Sequence, residues 1–308
     1  MLDIVHRTAL RARIAWSVLM IFISVLVLWL LLVGCGEQQS SSQAAQQPNQ
    51  VSGSTSAKKH VFVILMENKG YEQALGGDYT ASLASQYAVA TNYHAVAHPS
   101  LPNYLALTSG STWDITDDKY HSLSGGEDLG SELTSAGISW RAYMEDMTDE
   151  CFDSSYPYAL KHNPFAFYGG QCPSNVVPLS QLDADLSDDA DLSDNTPNFV
   201  WITPNLCHDE HDCDVGKGDQ WLADIVPKIT ASAAWKDDGL LFIVWDEDDK
   251  PSGPNRIPLI VVAPIPKEHQ TDAHYDHYSL LATIEDQLGV ERLGEAAKAQ
   301  AIEDLFQK

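Results

Sequence analysis

The chain has 308 residues, 44% of them hydrophobic, enough for one large domain or two small ones. With 43 acidic residues against 18 basic ones its net charge is −25. That balance excludes nucleic acid as a partner and argues against electrostatic adhesion to anionic lipid.

In chain order, Arg7, Arg11 and Arg13 precede an apolar run from Ile14 to Val33, broken only by Ser17 and Ser24. The run closes on Leu32-Val-Gly-Cys35, a pattern that resembles the lipobox of bacterial lipoproteins. Residues 1–35 are read as a signal segment with Cys35 the lipidated residue; the alternative is an uncleaved single-pass anchor. Either reading makes the protein extracytoplasmic and holds it to a membrane by an N-terminal lipid or apolar anchor. Residues 36–57 are polar and too poor in apolar side chains to order themselves, hence a flexible tether; residues 58–308 hold the folded domain.

His60–Met66 is a continuous β-branched and apolar run, the pattern of a strand buried on both faces of a mostly parallel sheet. It delivers Glu67 and Asn68 to its carboxyl end, where sites gather in open α/β sheets and where two hard oxygen ligands could meet a cation. A helix is expected from Tyr71 to about Tyr87, and a strand over 88–97. Ser100 then stands where a helix N-cap would stand, with Pro102 in the first turn. A hydroxyl there could cap its helix, or it could face a phosphate held by the free N–H groups of the helix start.

A short helix is expected over 128–136 and a strand over 138–143. Residues 150–178, rich in Tyr, Phe, Pro, Gly and Asn, form a long insertion that is either a substrate lid or an irregular packed loop. Apart from Cys35 there are four cysteines, an even number that in an exported protein suggests disulfides. Three pairings are possible, and the local one joins Cys151 to Cys172 and Cys207 to Cys213. The rival is a metal site, which thiolates fit less well in an oxidising compartment.

The acidic hexad at 183–188 repeats at 189–194 without the glycine turn and spacing of a calcium loop, and reads as a solvated loop. Asn198–Thr203 is another buried strand. Past it, His208, Asp209, His211 and Asp212 crowd between two cysteines, and Gly218-Asp219 opens a helix. Such a loop at a strand end is where metal ligands or substrate phosphate contacts belong, His208 and Asp212 among them. Gly239–Trp245 is the clearest core strand and runs straight into Asp246 and Glu247, carboxylates that are costly there unless a cation compensates them. A strand over 256–263, with Pro258 and Pro264 suiting an edge position or strand ends, precedes a helix over 278–288 that starts beside His277 and ends at Gly289.

Glu67-Asn68, Ser100-Leu-Pro-Asn103, Thr203-Pro-Asn205 with His211-Asp212, Gly218-Asp219, Asp246-Glu247, and His277 before Ser279–Glu285 together resemble the bacterial phosphoesterase family that unites acid phosphatases with phospholipases C, within the alkaline-phosphatase superfamily. The likeness covers roughly residues 60–290 and rests on the order of the motifs. It implies a three-layer α/β/α sandwich with a mostly parallel central sheet. It also implies one divalent metal ion (Mg, Ca, Mn or Zn) held by Glu67, Asn68, Ser100, Asp246 and Glu247. Ser100 would be the nucleophile that is transiently phosphorylated, and Asn103 would donate to a phosphoryl oxygen. His211 and His277 would bind phosphate or protonate the leaving group. Two departures tilt the reading: Lys69 to Glu72 replace the phospholipase branch's Arg-Ser-Phe-Asp, and Asp248 replaces its histidine.

The expected function is therefore hydrolysis of phosphomonoesters through a phosphoserine. Cleavage of phospholipid head groups by a phospholipase C is the alternative within the class. A non-catalytic calcium-binding surface lipoprotein is the alternative outside it.

Overall fold

A computed structural model describes residues 60–148, 151–187, 196–250, 252–264 and 269–306. The signal segment, Cys35, the tether and the second acidic hexad lie outside the described residues. No helix among those described is long and apolar enough to cross a membrane.

Nine strands form one sheet: β1 (His60–Met66), β2 (Ala88–His94), β3 (Trp140–Met144), β4 (Val176–Pro178), β5 (Phe199–Thr203), β6 (Gly239–Trp245), β7 (Arg256–Val262), β8 (Gln270–Thr271) and β9 (Tyr275–Asp276). Their order is β4-β3-β5-β1-β6-β7-β2-β8, with β9 also on β2. Strands β4, β3, β5, β1 and β6 are mutually parallel, and β7 is antiparallel to both its neighbours, so every other strand shares one direction. The apolar runs of β1 and β6 are wholly buried because helices cover both faces.

The principal helices are α1 (Tyr71–Ala74), α2 (Asp78–Gln86), α3 (Ser100–Ser109), α4 (Leu129–Ala136), α5 (Leu182–Asp185), α6 (Val215–Ala231), α7 (Ala233–Lys236) and α8 (His277–Leu288). Helix α3 packs with α4 and α8, whereas α2 packs with α6 and α6 with α7, which gives the two outer layers of an α/β/α sandwich.

Three local expectations change. The helix expected over 71–87 is two helices, interrupted at Gly76 and Gly77. A Cβ on Gly77 would come within 2.3 Å of Asp219 Oδ1. That carboxylate crosses from α6 to accept the N–H groups of Tyr79 (3.0 Å) and Thr80 (2.8 Å), starting α2. Gly218-Asp219 is thus a structural joint: the helix opens earlier, at Val215 behind its cap Asp214, and a Cβ on Gly218 would meet Glu210. Strand β7 lies inside the sheet and not at an edge. Pro258 is tolerated there because the β2–β7 register slips between Ala90 and Tyr93, so no ladder bond needs its missing N–H.

Both disulfides have the local pairing, Cys151–Cys172 (Cα–Cα 6.2 Å) and Cys207–Cys213 (4.8 Å). Helix α3 is buried along its whole length and ends at Gly110, whose φ of +67° needs glycine. The C-terminal segment leans on it there, with Glu295 N donating to Gly110 O at 2.8 Å.

Candidate active site

The carboxyl ends of β1 and β6 are neighbours, so Glu67 and the pair Asp246-Glu247 emerge side by side. The backbone continues past the ladder: Asp246 N donates to Met66 O (2.9 Å) and Glu67 N donates to Asp209 O (2.8 Å). Glu67 and Asp246 are wholly buried, and Glu247 nearly so.

Ser100 is the first residue of α3, not its cap. Pro99 takes the cap position and offers no side-chain acceptor to the helix. The hydroxyl is therefore free for other partners and donates to Glu67 Oε2 (3.0 Å), with Glu247 Oε1 at 3.4 Å. Leu101 N, next in the first turn, donates to Asp118 Oδ1 (3.1 Å).

Crowded, buried carboxylates resist ionisation. Burial first, then Glu67 and Glu247, push the Asp246 carboxyl well above the usual range. Burial, then Glu67 and Asp118, raise Glu247 to about 8. Both Asp246 oxygens are buried without a hydrogen-bond partner among the described residues. An all-oxygen set with orphaned acceptors is the chemistry of a hard divalent cation, and Glu67, Ser100, Asp246 and Glu247 fit one. Asn68 follows Glu67 and is half-buried; its carbonyl accepts from Lys69 Nζ (3.3 Å).

The disulfide-stapled insertion supplies two residues that the sequence reading left unassigned. His162, wholly buried, lies 3.0 Å from Glu67 Oε1 through Nε2 and 3.2 Å from Asp209 Oδ2 through Nδ1. Neither approach is aligned as a hydrogen bond, so both ring nitrogens lack one. The ring stacks on Tyr104 (centroids 5.2 Å apart), whose hydroxyl donates to Glu67 Oε1 at 2.6 Å. Burial lowers His162 to about 4, which keeps it neutral and ligand-competent. Glu67, His162 and His211 offer ligand atoms within 4.8 Å of one another.

Lys161, beside it, pairs with Asp118 Oδ2 (3.1 Å) and reaches His211 Nε2 (3.3 Å). Burial opposes its charge, but Glu67, Asp118 and Asp246 outweigh that and hold the ammonium above its usual range. An ammonium can only donate, so His211 accepts at Nε2 and donates from Nδ1 to Asp212 Oδ1 (2.7 Å). Asp212 thus orients His211, and the proton on the inner side of this pair belongs to Lys161.

Three other expected site residues sit differently. Asn103 accepts from Val96 N (3.1 Å) and Ala97 N (2.9 Å) and donates to Ala97 O (2.9 Å) and Pro99 O (3.3 Å). Its amide is spent bracing the loop before Ser100, and no donor is left for a phosphoryl oxygen. His277 lies behind the centre: a carbonyl only accepts, so Nε2–H donates to Asp246 O (2.7 Å), while Nδ1 takes the Tyr93 hydroxyl (3.0 Å). Burial lowers it to about 4, and a neutral ring with both nitrogens engaged is a brace, not an acid. His208 turns away from Asp209 to Glu145 (2.9 Å) and stacks on Trp221, outside the cluster of Ser100 and the carboxylates. His98 enters in its stead, with Nδ1 on Glu247 and Nε2 3.8 Å from Asp248 Oδ1.

A family model described as the phosphoesterase family matches residues 77–291. The chain belongs to the phosphoesterase family. Glu67 and Asn68 fall before the matched span, and the other residues of the centre lie within it. Among its relatives, a probable acid phosphatase of Kluyveromyces lactis is 29% identical over 274 residues, 83% of this chain and 63% of that protein. An acid phosphatase of Aspergillus fumigatus is 30% identical over 76% of this chain and 55% of its own length. A phosphatidylinositol-3-phosphatase of Mycobacterium tuberculosis is 30% identical over 80% of this chain and 82% of its own. The chain thus spans less than two thirds of the length of the two fungal relatives. In fold it is similar to an alkaline-phosphatase-superfamily protein of Vibrio parahaemolyticus (TM-score 0.55, 15% identity, covering 80% of this chain and 72% of that one). A lipoteichoic acid synthase of Listeria monocytogenes gives a TM-score of 0.56 at 10% identity, with 79% and 77% covered.

Proposed function

We propose that the chain is a metal-dependent phosphomonoesterase that works through a phosphoserine at Ser100. The observation that carries this is the released hydroxyl: Ser100 opens a buried helix, caps nothing, and points at Glu67 and Glu247. A divalent ion bound by Glu67, Ser100, Asp246 and Glu247 would lower the hydroxyl pKa and offset phosphoryl charge.

Glu67 and Glu247 orient the hydroxyl, and Glu67, its nearer partner at 3.0 Å, accepts the proton as Oγ attacks phosphorus in line. The bond from phosphorus to the leaving oxygen breaks, that oxygen takes a proton from solvent and departs as the alcohol, and water then cleaves the phosphoserine to phosphate, with Glu67 returning the proton to Ser100. Lys161 is the donor facing the carboxylates and holds a phosphoryl oxygen, with His211 fixed behind it by Asp212. The relatives, acid phosphatases and a phosphatidylinositol-3-phosphatase, support a monoesterase over a phospholipase C. An extracytoplasmic location remains the reading of the N-terminal segment, and the two disulfides suit an oxidising compartment.

The test is acid quenching during turnover of a ³²P-labelled monoester. Wild type should carry label on serine; Ser100→Ala should carry none and lose activity by about 10³-fold or more. Full activity in Ser100→Ala, or release of diacylglycerol in place of phosphate, defeats the proposal.

A further inference from the structure

We propose that the organic leaving group of the substrate lies on an aromatic shelf made by Tyr120, Phe152 and Tyr156, so that the site selects phosphomonoesters of ring-bearing apolar alcohols. The inference rests on the phosphomonoesterase reading and adds the substrate class to it.

Among the described residues these three are the large hydrophobic side chains left exposed, at 43%, 41% and 68%. Single exposed rings are ordinary, but Tyr120 and Phe152 are gathered into a pair. Tyr120 and Phe152 meet edge to face with centroids 5.5 Å apart, and Tyr120 is backed by the buried Phe167 at 5.2 Å. Each side of the shelf is tied to the reaction centre by hydrogen bonds. Two residues before Tyr120, Asp118 joins Leu101 N, beside the nucleophile, to Lys161 Nζ. Next to Tyr156, Pro157 O accepts from Leu206 N (3.0 Å), and Leu206 O accepts from Asp212 N (2.7 Å), the residue that orients His211. Tyr120 thus stands two residues from the partner of Lys161, and Tyr156 stands next to the strap that holds Asp212.

The centre itself is polar throughout, with carboxylates, imidazoles and one ammonium, and offers an alcohol nothing apolar to rest on. The rings beside it are the only large apolar surface left open among the described residues. Binding a remote, unreactive part of the substrate there would help hold phosphorus against Ser100. Rings suit this task because they offer a wide rigid face at small entropic cost.

The test compares 2-phenylethyl phosphate with ethyl phosphate. Both lose a primary alcohol, so the ratio of their kcat/KM values isolates the ring. Wild type should favour the phenyl ester by about tenfold. Tyr120→Ser, Phe152→Ser and Tyr156→Ser, combined, should bring the ratio near one and leave ethyl phosphate turnover unchanged, while Tyr120→Phe should keep the wild-type ratio. Binding of the matching phosphonates, measured by calorimetry, should show the same preference and the same loss. A wild-type ratio near one, or a ratio that the serine variants do not move, overturns the proposal. If neither ester is hydrolysed but the phosphonates retain a ring preference that the variants lose, the shelf stands and the phosphoserine reading falls.

Discussion

The centre is built from two kinds of structure. Glu67, Asp246 and Glu247 are the first residues beyond two adjacent parallel strands, placed by ladder bonds that fix the whole sheet. Lys161 and His162 come from an insertion with little regular structure, stapled by Cys151–Cys172 and packed against α3. The first region collects negative charge at strand ends, and the second brings the cation and the imidazole that answer it. Acidic residues can be delivered by a rigid sheet, whereas their counter-charges come from a loop whose shape is held by cross-links and packing.

The sharpest way to break this comparison is to remove a strand-end carboxylate. Asp246→Asn should lower activity by about 10³-fold and abolish any rise in Tm on adding divalent metal. In a chelator it should be at least as stable as wild type, because it relieves a crowded, buried group. A metal-dependent Tm unchanged in this variant would detach the carboxylates from the metal.

Next in size is the insertion. Lys161→Met should cost about 10²-fold in kcat/KM and weaken inhibition by inorganic phosphate, with Lys161→Arg recovering part of both. Loss of activity with undiminished phosphate inhibition would assign Lys161 to packing alone.

The smallest effect lies away from both regions. Glu285 on α8 is buried and accepts Leu293 N at 2.8 Å; burial raises it from its ordinary 4.5 to about 8. A carboxyl raised on folding favours the folded state while protonated. Its contribution is whole below the unfolded value of 4.5 and is lost as pH rises toward 8. Glu285→Gln should therefore raise Tm at pH 8, by on the order of 5 °C, and leave it unchanged at pH 4. Equal shifts at both values would trace the effect to packing.

What could be read without coordinates follows the same divide. Continuous apolar runs mark buried parallel strands, so the ends of β1 and β6, and the acids on them, were legible. The insertion has no period, and nothing in its composition set Lys161 and His162 above its other polar residues. Spacing also could not say which way a loop residue turns: His208 and Asp209 are consecutive, yet one faces Trp221 and the other His162. The family pattern singled out Ser100, but it could not reveal that Asn103 is consumed by its own loop or that His277 stands behind Asp246. Those outcomes depend on backbone carbonyls and N–H groups, which every sequence has and no motif displays.

Gly110 closes the far end of α3, and a Cβ there would come within 2.2 Å of Leu293 O. The helix has no slack, since its whole length is buried and both ends are tied. At 1.5 Å per residue a methyl group at Gly110 sits about 15 Å from Ser100. It would nevertheless shove the rod endwise and unseat Ser100 from its carboxylates. The Ser100 hydroxyl is thus tuned from a remote glycine, as a string is tuned from its peg.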